Sequence, residues 1–250
     1  MSLFEQMDFH SPVLRINDRG KNIDFYQKTL GFKLFSEENT LAIFTDWSQS
    51  GSHFIIEESP DSRMVKGLKK LQKMVIKADK ADEIAALLAN GAEASKIFKG
   101  ANGYAFEALS PENDLFLIHA EDDLSTLKEV EHADVQPRED FKGLSAYQVE
   151  KVVLNVPDKG KSQGFYQEVF QNQFPLSVDF VEAQGEDLMI EPHVAWDLEI
   201  LEVRMPVSYD LAALKDYLEE KGQNVYLDKK ETVLVLSEPS QIEIWFRKLP

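Results

Sequence analysis

Residues 13–27 read VLRINDRGKNIDFYQ, and residues 153–167 read VLNVPDKGKSQGFYQ. Aligned without a gap, the two stretches are identical at eight of fifteen positions: Val13/Val153, Leu14/Leu154, Asp18/Asp158, Gly20/Gly160, Lys21/Lys161, Phe25/Phe165, Tyr26/Tyr166 and Gln27/Gln167. The second half of the chain therefore opens by repeating the first, and a repeat takes precedence over any local reading. Each copy has a legible physics. Val13-Leu14-Arg15-Ile16 is a short strand of apolar and β-branched residues. Asp18 stands where a carboxylate accepts from the orphan amides of a starting helix. Ile23, Tyr26 and Leu30 recur at helical spacing, and Gly31 supplies the left-handed residue that ends the helix. Phe32–Phe35, Leu41–Phe44 and His53–Glu57 follow as three strands between polar turns.

Working outward, the same order of elements returns. Leu71–Lys77 is a strand, Asp79 the expected cap, Ile84, Leu87 and Leu88 a helix face, and Gly91 its stop. Strands follow near Ala94–Phe98, Tyr104–Leu109 and Leu115–His119. In the second half, Val152–Val156 leads into the helix of Phe165, Tyr166 and Phe170. Leu198–Arg204 then leads into a helix with Leu211, Leu214 and Leu218, closed by Gly222. Strands near Val225–Leu227, Val233–Leu236 and Ile242–Phe246 complete a fourth unit. The third unit is irregular: residues 175–196 have room for two good strands, so its last strand is expected to be short or missing. Residues 121–148, with acidic runs and one proline, have the composition of a linker, with one helical turn expected within 124–130. The reading is of two domains, 1–123 and 148–250, joined by an acidic linker at 124–147.

Composition limits what such a chain does. At 250 residues, 43% hydrophobic and 28% charged, it is globular and buries on the order of 70% of its unfolded surface. There is no cysteine, so a disulfide framework, a Cys-ligated zinc and a cysteine nucleophile are all excluded. A net charge of −17 speaks against phosphate-backbone binding, and no nucleic-acid partner is expected. No stretch reaches the ~18 apolar residues of a membrane span, and Met1–Asp8 has no signal-peptide pattern, so the sequence reads as cytoplasmic.

The strand, the Asp cap, the Phe-Tyr helix and the Leu30-Gly31-Phe32 that follows resemble the opening of a glyoxalase/vicinal-oxygen-chelate module. Ser110-Pro111-Glu112-Asn113-Asp114, before a final apolar strand, is similar to a turn of that family, as is Glu238-Pro239-Ser240. The resemblance implies an α+β fold of four βαβββ-type modules, paired into two glyoxalase-like domains with cupped mixed sheets. The layout and the FYQ-bearing repeats also resemble the bacterial CppA family over essentially the whole chain. That family carries the label of a proteinase degrading the third complement component, which implies a complement partner and extracellular or cell-surface action.

Metal-dependent members of the fold use a first-strand His and a last-strand Glu. Here the first-strand positions hold Ser11, Gln72 and Lys151, and one last-strand position holds Leu117. Glu57 and Glu243 do lie on last strands. His53, Ile55 and Glu57 alternate onto one face, so His53 and Glu57 are expected to converge in an N-terminal cup. His119 shares parity with Leu117 and is expected to line the same cup. Glu243 and Trp245 share a face in a C-terminal cup. A catalytic metal needs about three protein ligands, two can be assembled, and neither a metal nor another cofactor is expected. His10 has the wrong strand parity and should face away, His132 should be solvated, and His193 lies in a loop. For proteolysis there is no His-Glu-x-x-His helix, and Gly143-Leu144-Ser145-Ala146-Tyr147 lacks the second glycine of a nucleophile elbow. Three readings follow: a complement-directed proteinase by resemblance, a metal-independent module binding a small molecule or peptide in a cup, and a metal-dependent lyase or dioxygenase, which the missing histidines disfavour. Whether the chain is an enzyme, and whether its domains pack within one chain or across a homodimer, stays open.

Overall fold

The computed structural model describes residues 3–49, 51 and 53–249. The first module runs β1 (Asp8–Ile16), α1 (Arg19–Lys28), β2 (Lys33–Glu38), β3 (Leu41–Thr45) and β4 (His53–Glu58). The second is β5 (Leu71–Ala78), α2 (Ala81–Ala89), β6 (Lys96–Lys99), β7 (Tyr104–Leu109) and β8 (Leu115–His119), followed by a short β9 (Lys128–Val130). The third has β10 (Tyr147–Val156), α3 (Lys159–Phe170) and β11 (Ser177–Glu182). The fourth is β12 (Leu198–Met205), α4 (Leu211–Glu220), β13 (Val225–Leu227), β14 (Val233–Ser237) and β15 (Glu243–Lys248). The repeated aspartates cap as their chemistry dictates: Asp18 accepts from Lys21 N at 3.0 Å and Asp158 from Lys161 N at 2.8 Å. The second helix differs from expectation. Its N-cap is Lys80, without a side-chain bond, and the acids fall inside the first turn as Asp82 and Glu83, where they still complement the helix dipole.

The strands form two mixed sheets, ordered β13-β14-β15-β12-β1-β4-β3-β2 and β11-β10-β5-β8-β7-β6-β9. Each sheet takes one module from each half of the sequence. β1 meets β12 antiparallel and β5 meets β10 antiparallel, so the first strands of partner modules join at each sheet's centre. Within the complete modules the first strand pairs in parallel with the last, as β1 does with β4. In the third module β11 holds that last-strand place beside β10. What this module lacks is therefore its two middle strands, the reverse of the expectation.

The core lies between the sheets, with the helices. Tyr26 of α1 packs on Phe54 of one sheet and on Phe116 of the other, at ring separations of 4.9 and 5.7 Å. Phe170 of α3 reaches Phe246 at 6.2 Å. Tyr26 thus ties α1 to both layers and Phe170 ties α3 to the eight-stranded sheet, and the opposite faces of the sheets look outward as two shallow cups. Truncating any of these buried rings would cost about 3–5 kcal/mol. Among the described residues no helix is long and apolar enough to cross a membrane.

The connecting segment is more ordered than a linker composition suggests. Glu121, first of an acidic run, is buried and accepts from the backbone N–H groups of Asn102 and Gly103, which fastens the β6–β7 turn. Leu124–Thr126 forms the expected helical turn, of 3-10 type. Further on, Leu144 N donates to Gly31 O at 2.9 Å and Trp47 N donates to Leu144 O at 3.0 Å. Gly143 sits at φ +145°, where an added Cβ would lie 2.2 Å from Gly31 O and 2.3 Å from Trp47 Nε1. Only glycine allows this close approach. Gly143→Ala is expected to lower stability by about 1–3 kcal/mol in urea denaturation, because backbone has to move on both sides of the contact. An unchanged midpoint would mean that the segment is not seated there.

Candidate functional site

The cup of the eight-stranded sheet brings together side chains that the sequence left apart. β1 pairs Val13 with Ile55 of β4 and with Ile200 of β12, and β15 sets Glu243 beside Ile200. Val13, Ile55 and Ile200 form a small apolar floor, with Leu41, Ile43 and Trp245 packed against it. His53, Glu57, Glu243 and Trp245 therefore line one cup rather than two, because the sheet joins the first module to the fourth. His119 does not join them. It is fully buried in the seven-stranded sheet, where Nε2 meets a Glu150 carboxylate oxygen at 3.0 Å. Burial lowers its pKa, against the pull of that carboxylate. The second cup is also covered by the chain itself, since Leu124 and Leu127 pack onto its Val75, Ala105 and Leu117.

At one end of the open cup lies a guanidinium that sequence reasoning did not single out. Arg15 bonds both carboxylate oxygens of Glu199, with Nη2 to Oε1 at 2.9 Å, and also reaches Ser59 Oγ, Glu57 Oε2 at 3.1 Å and His193 Nδ1 at 2.6 Å. Its side chain is 7% exposed, that of Glu199 6% and that of Glu57 28%. Burial alone would lower the Arg15 pKa, but the Glu199 hydrogen bond and the charges of Glu199, Glu57 and Glu243 outweigh it and raise it. Three carboxylates thus surround one guanidinium, and this end of the cup is net negative. Glu243 has a neutral hydrogen-bond partner, the Trp245 indole N–H at 2.7 Å, and acts on Arg15 through its charge alone.

The centre and far end are built differently. Ser11 Oγ donates to Glu202 Oε2 at 2.9 Å, and Arg247 Nη1 donates to Glu202 Oε1 at 2.7 Å. A register shift between Phe9 and Ser11 breaks the strand alternation that would turn His10 away. His10 instead stacks beside His53, with ring centroids 4.5 Å apart. Burial, then the neighbouring His53, Arg204 and Arg247, lowers its pKa to about 4. Alternating parity assumes a regular strand, so the bulge was invisible to it. His132 is exposed, as its linker position implied, and the exposed His193 is held by Arg15 and Glu199.

Metal-dependent members of the resembled fold would place an ion in such a cup, and the residues here do not fit one. The first-strand position is Ser11, already bonded to Glu202. Glu57 and Glu199 are engaged by Arg15, and Glu202 by Ser11 and Arg247. Among the described residues no group of three His, Asp or Glu side chains converges to hold a metal ion. Two guanidinium groups already occupy the positive role that a cation would take.

The comparisons with known proteins agree with this architecture. The family model described as CppA N-terminal matches residues 9–130, and that described as CppA C-terminal matches residues 144–246. The crystal structure of the cppA protein from Streptococcus pneumoniae TIGR4 is 32% identical, covers 98% of both chains and superposes with a TM-score of 0.83. The chain belongs to the CppA family. A glyoxalase I mutant from Zea mays shares the fold at 11% identity, a TM-score of 0.60, and coverage of 97% of this chain and 94% of that one. A candidate dioxygenase from Bacillus subtilis does so at 12% identity and a TM-score of 0.58, over 98% and 86% of the two chains. These last likenesses are of fold alone. No curated relative matches the sequence. This CppA-family chain thus combines a glyoxalase-like cup with an interior of ion pairs.

Proposed function

We propose that the open cup is a metal-independent binding site for a small molecule or peptide segment that carries a cationic group and an apolar body. The observation that supports this reading is the arrangement of Glu57, Glu199 and Glu243 around the single Arg15, beside the Val13–Ile55–Ile200 floor. An amine or guanidinium would settle against Glu243 and Glu57 while its alkyl or aromatic part covers the floor. The chain's charge of −17 would draw such a ligand in.

The second reading is the proteinase acting on the third complement component that the family label implies. It is supported by family membership. The hydroxyls of the cup argue against it: Ser11 is fully buried and donates to Glu202, while Ser59 accepts from Arg15. Neither is paired with an imidazole base that would activate it. The segment 143–147 is extended along Gly31 and Trp47 and is not a strand-to-helix elbow.

Calorimetric titration with N-acetyl-leucyl-argininamide and its uncharged citrulline counterpart tests the proposal. The arginyl compound is expected to bind about tenfold or more tightly, the worth of a charge-assisted hydrogen bond. Glu243→Gln should abolish that preference, and added salt should weaken it. Equal affinities for the two compounds would refute a cationic ligand. Cleavage of purified complement component three that follows the protein through purification would favour the family label instead.

A further inference from the structure

The third module keeps its last strand but has no third strand to cover it. In the complete modules the last strand is paired antiparallel by β3, β7 or β14, whereas β11 ends its sheet. The other three sheet ends are blunted. β9 and β13 have three residues each, and β2 carries a register shift between Leu34 and Ser36. β11 runs for six residues in unbroken register with β10, without a lysine or proline. A long, regular edge of this kind is a template for another strand.

The bonding groups of that edge follow from one contact. Ala183 N donates to Val156 O at 2.9 Å, so by alternation Ser177, Asp179 and Val181 turn their backbone groups to β10. Val178, Phe180 and Glu182 turn theirs outward, and among the described residues nothing bonds them. In the first module Glu58 stands in the place of Glu182, and its N–H donates to Thr40 O at 2.8 Å. A recess of about 640 Å³ runs along the open edge, lined by residues 178–181 and by Gln163, Tyr166 and Gln167 of α3. Strand side chains alternate between faces, so consecutive residues share one recess only along the backbone edge. Tyr26 packs on Phe32, Phe54 and Phe44, the last from β3, and is fully buried. Its repeat counterpart Tyr166 packs on Phe174 and Phe180, meets no third-strand ring, and is 8% exposed. Gln163 replaces the Ile23 of α1, so this flank tolerates water, as a reversibly covered surface must.

Charge decides between occupants. If β11 pairs with a second copy of itself, the register that brings Phe180 into the place of Phe44 sets Asp179 directly against its own copy. The next register sets Phe180 against its copy and brings Glu182 into that apolar place. A net charge of −17 on each chain opposes both. A basic strand meets neither obstacle, and Asp179, though bonded by Lys151 at 2.7 Å, is exposed, as is Glu182.

We propose that the edge of β11 binds an extended basic segment of another protein as an added antiparallel strand. The segment would carry an apolar ring opposite Val178 and Lys or Arg opposite Asp179 and Glu182. Its ring would cover Tyr166 as Phe44 covers Tyr26, and its backbone would pair with Val178, Phe180 and Glu182.

The probe is acetyl-Lys-Leu-Ala-Lys-Phe-Thr-amide, patterned on residues 40–45 with lysines placed to meet Glu182 and Asp179. It should bind the full chain with a dissociation constant of ~1 mM or tighter. In hydrogen-exchange NMR at saturation it should slow the amides of Val178, Phe180 and Glu182 about threefold or more, and leave those of Val233–Ser237 unchanged. N-methylation of its Ala and Phe, whose amides would face β11, should weaken binding at least about tenfold. Glutamates in place of its lysines should weaken it at least about threefold, and Asp179→Asn/Glu182→Gln should remove most of that difference. No protection at ~5 mM peptide, equal binding of the N-methylated form, or an unchanged charge preference in the double variant would each overturn the proposal. Protection of the same amides on concentrating the protein without peptide would put a second copy on the edge and overturn it as well. The probe is cationic, so Glu243→Gln, which tests the cup, should leave the protection at β11 as it is.

Discussion

Arg15→Met is expected to destabilise the protein by about 3–5 kcal/mol, more than any other single change to a polar residue of the cup. The loss does not come from the arginine's own burial. It comes from Glu199, which is 6% exposed and receives both of its side-chain hydrogen bonds to a guanidinium from Arg15. Methionine fills a similar volume but leaves the carboxylate in a poorly solvated site with only His193 beside it, at 2.9 Å. A buried ion pair is a small net stabiliser, yet half of one is a large penalty. The double variant Arg15→Met/Glu199→Leu should therefore recover most of what the single variant loses. Urea denaturation of the four species gives the coupling directly. Losses that simply add would show that the two side chains act independently and that the network is incidental.

That pair also shows where sequence reading stops. Arg15 and Glu199 lie 184 residues apart, and no local pattern announces their meeting. The modules were legible because their signals are local. Asp18 and Asp158 cap helices three residues ahead, Gly31, Gly91 and Gly222 take positive φ at helix ends, and the Phe-Tyr pairs fall on buried helix faces. The partnership of modules is a different kind of information. The edges of β1, β5, β10 and β12 are all apolar strands of similar length, and nothing in their composition says that β1 must choose β12. So the sequence puts Glu57 and Glu243 on the right strands but in separate cups, and puts His119 with His53 although a different sheet holds it. His10 was lost to one irregularity in register, because strand parity fails at a bulge. Glu121 opens an acidic run of linker composition, and its role depends on two backbone amides some twenty residues back.

The other large effect concerns pH and the turn before β15. Glu238 is fully buried, and its Oε1 accepts from Ser240 N at 2.7 Å and Ile242 N at 3.2 Å, while Oε2 has no partner. The corresponding turn of the second module is served differently. There the buried Asp114 is paired with Lys69. Lys70, whose charge acts on Glu238, spends its ammonium on Ile190 O at 2.6 Å and Gln241 O at 3.5 Å. Burial therefore dominates, and it lifts the Glu238 pKa from 4.5 to about 7 against the backbone hydrogen bonds that lower it. A carboxyl whose folded pKa lies above its unfolded one gives full stability below pH 4.5 and loses it as pH rises to about 7. At about 1.4 kcal/mol per unit, Glu238 should cost the fold about 3 kcal/mol by neutral pH. Glu238→Gln keeps the acceptor for Ser240 and Ile242 and removes the titration. The variant should match the parent near pH 4.5, exceed it by about 3 kcal/mol above pH 7, and show a flatter stability profile between. Denaturation midpoints across that range decide the matter. If parent and variant run parallel, the carboxyl is reached by solvent or by a cation in solution, and the turn is held by the backbone alone.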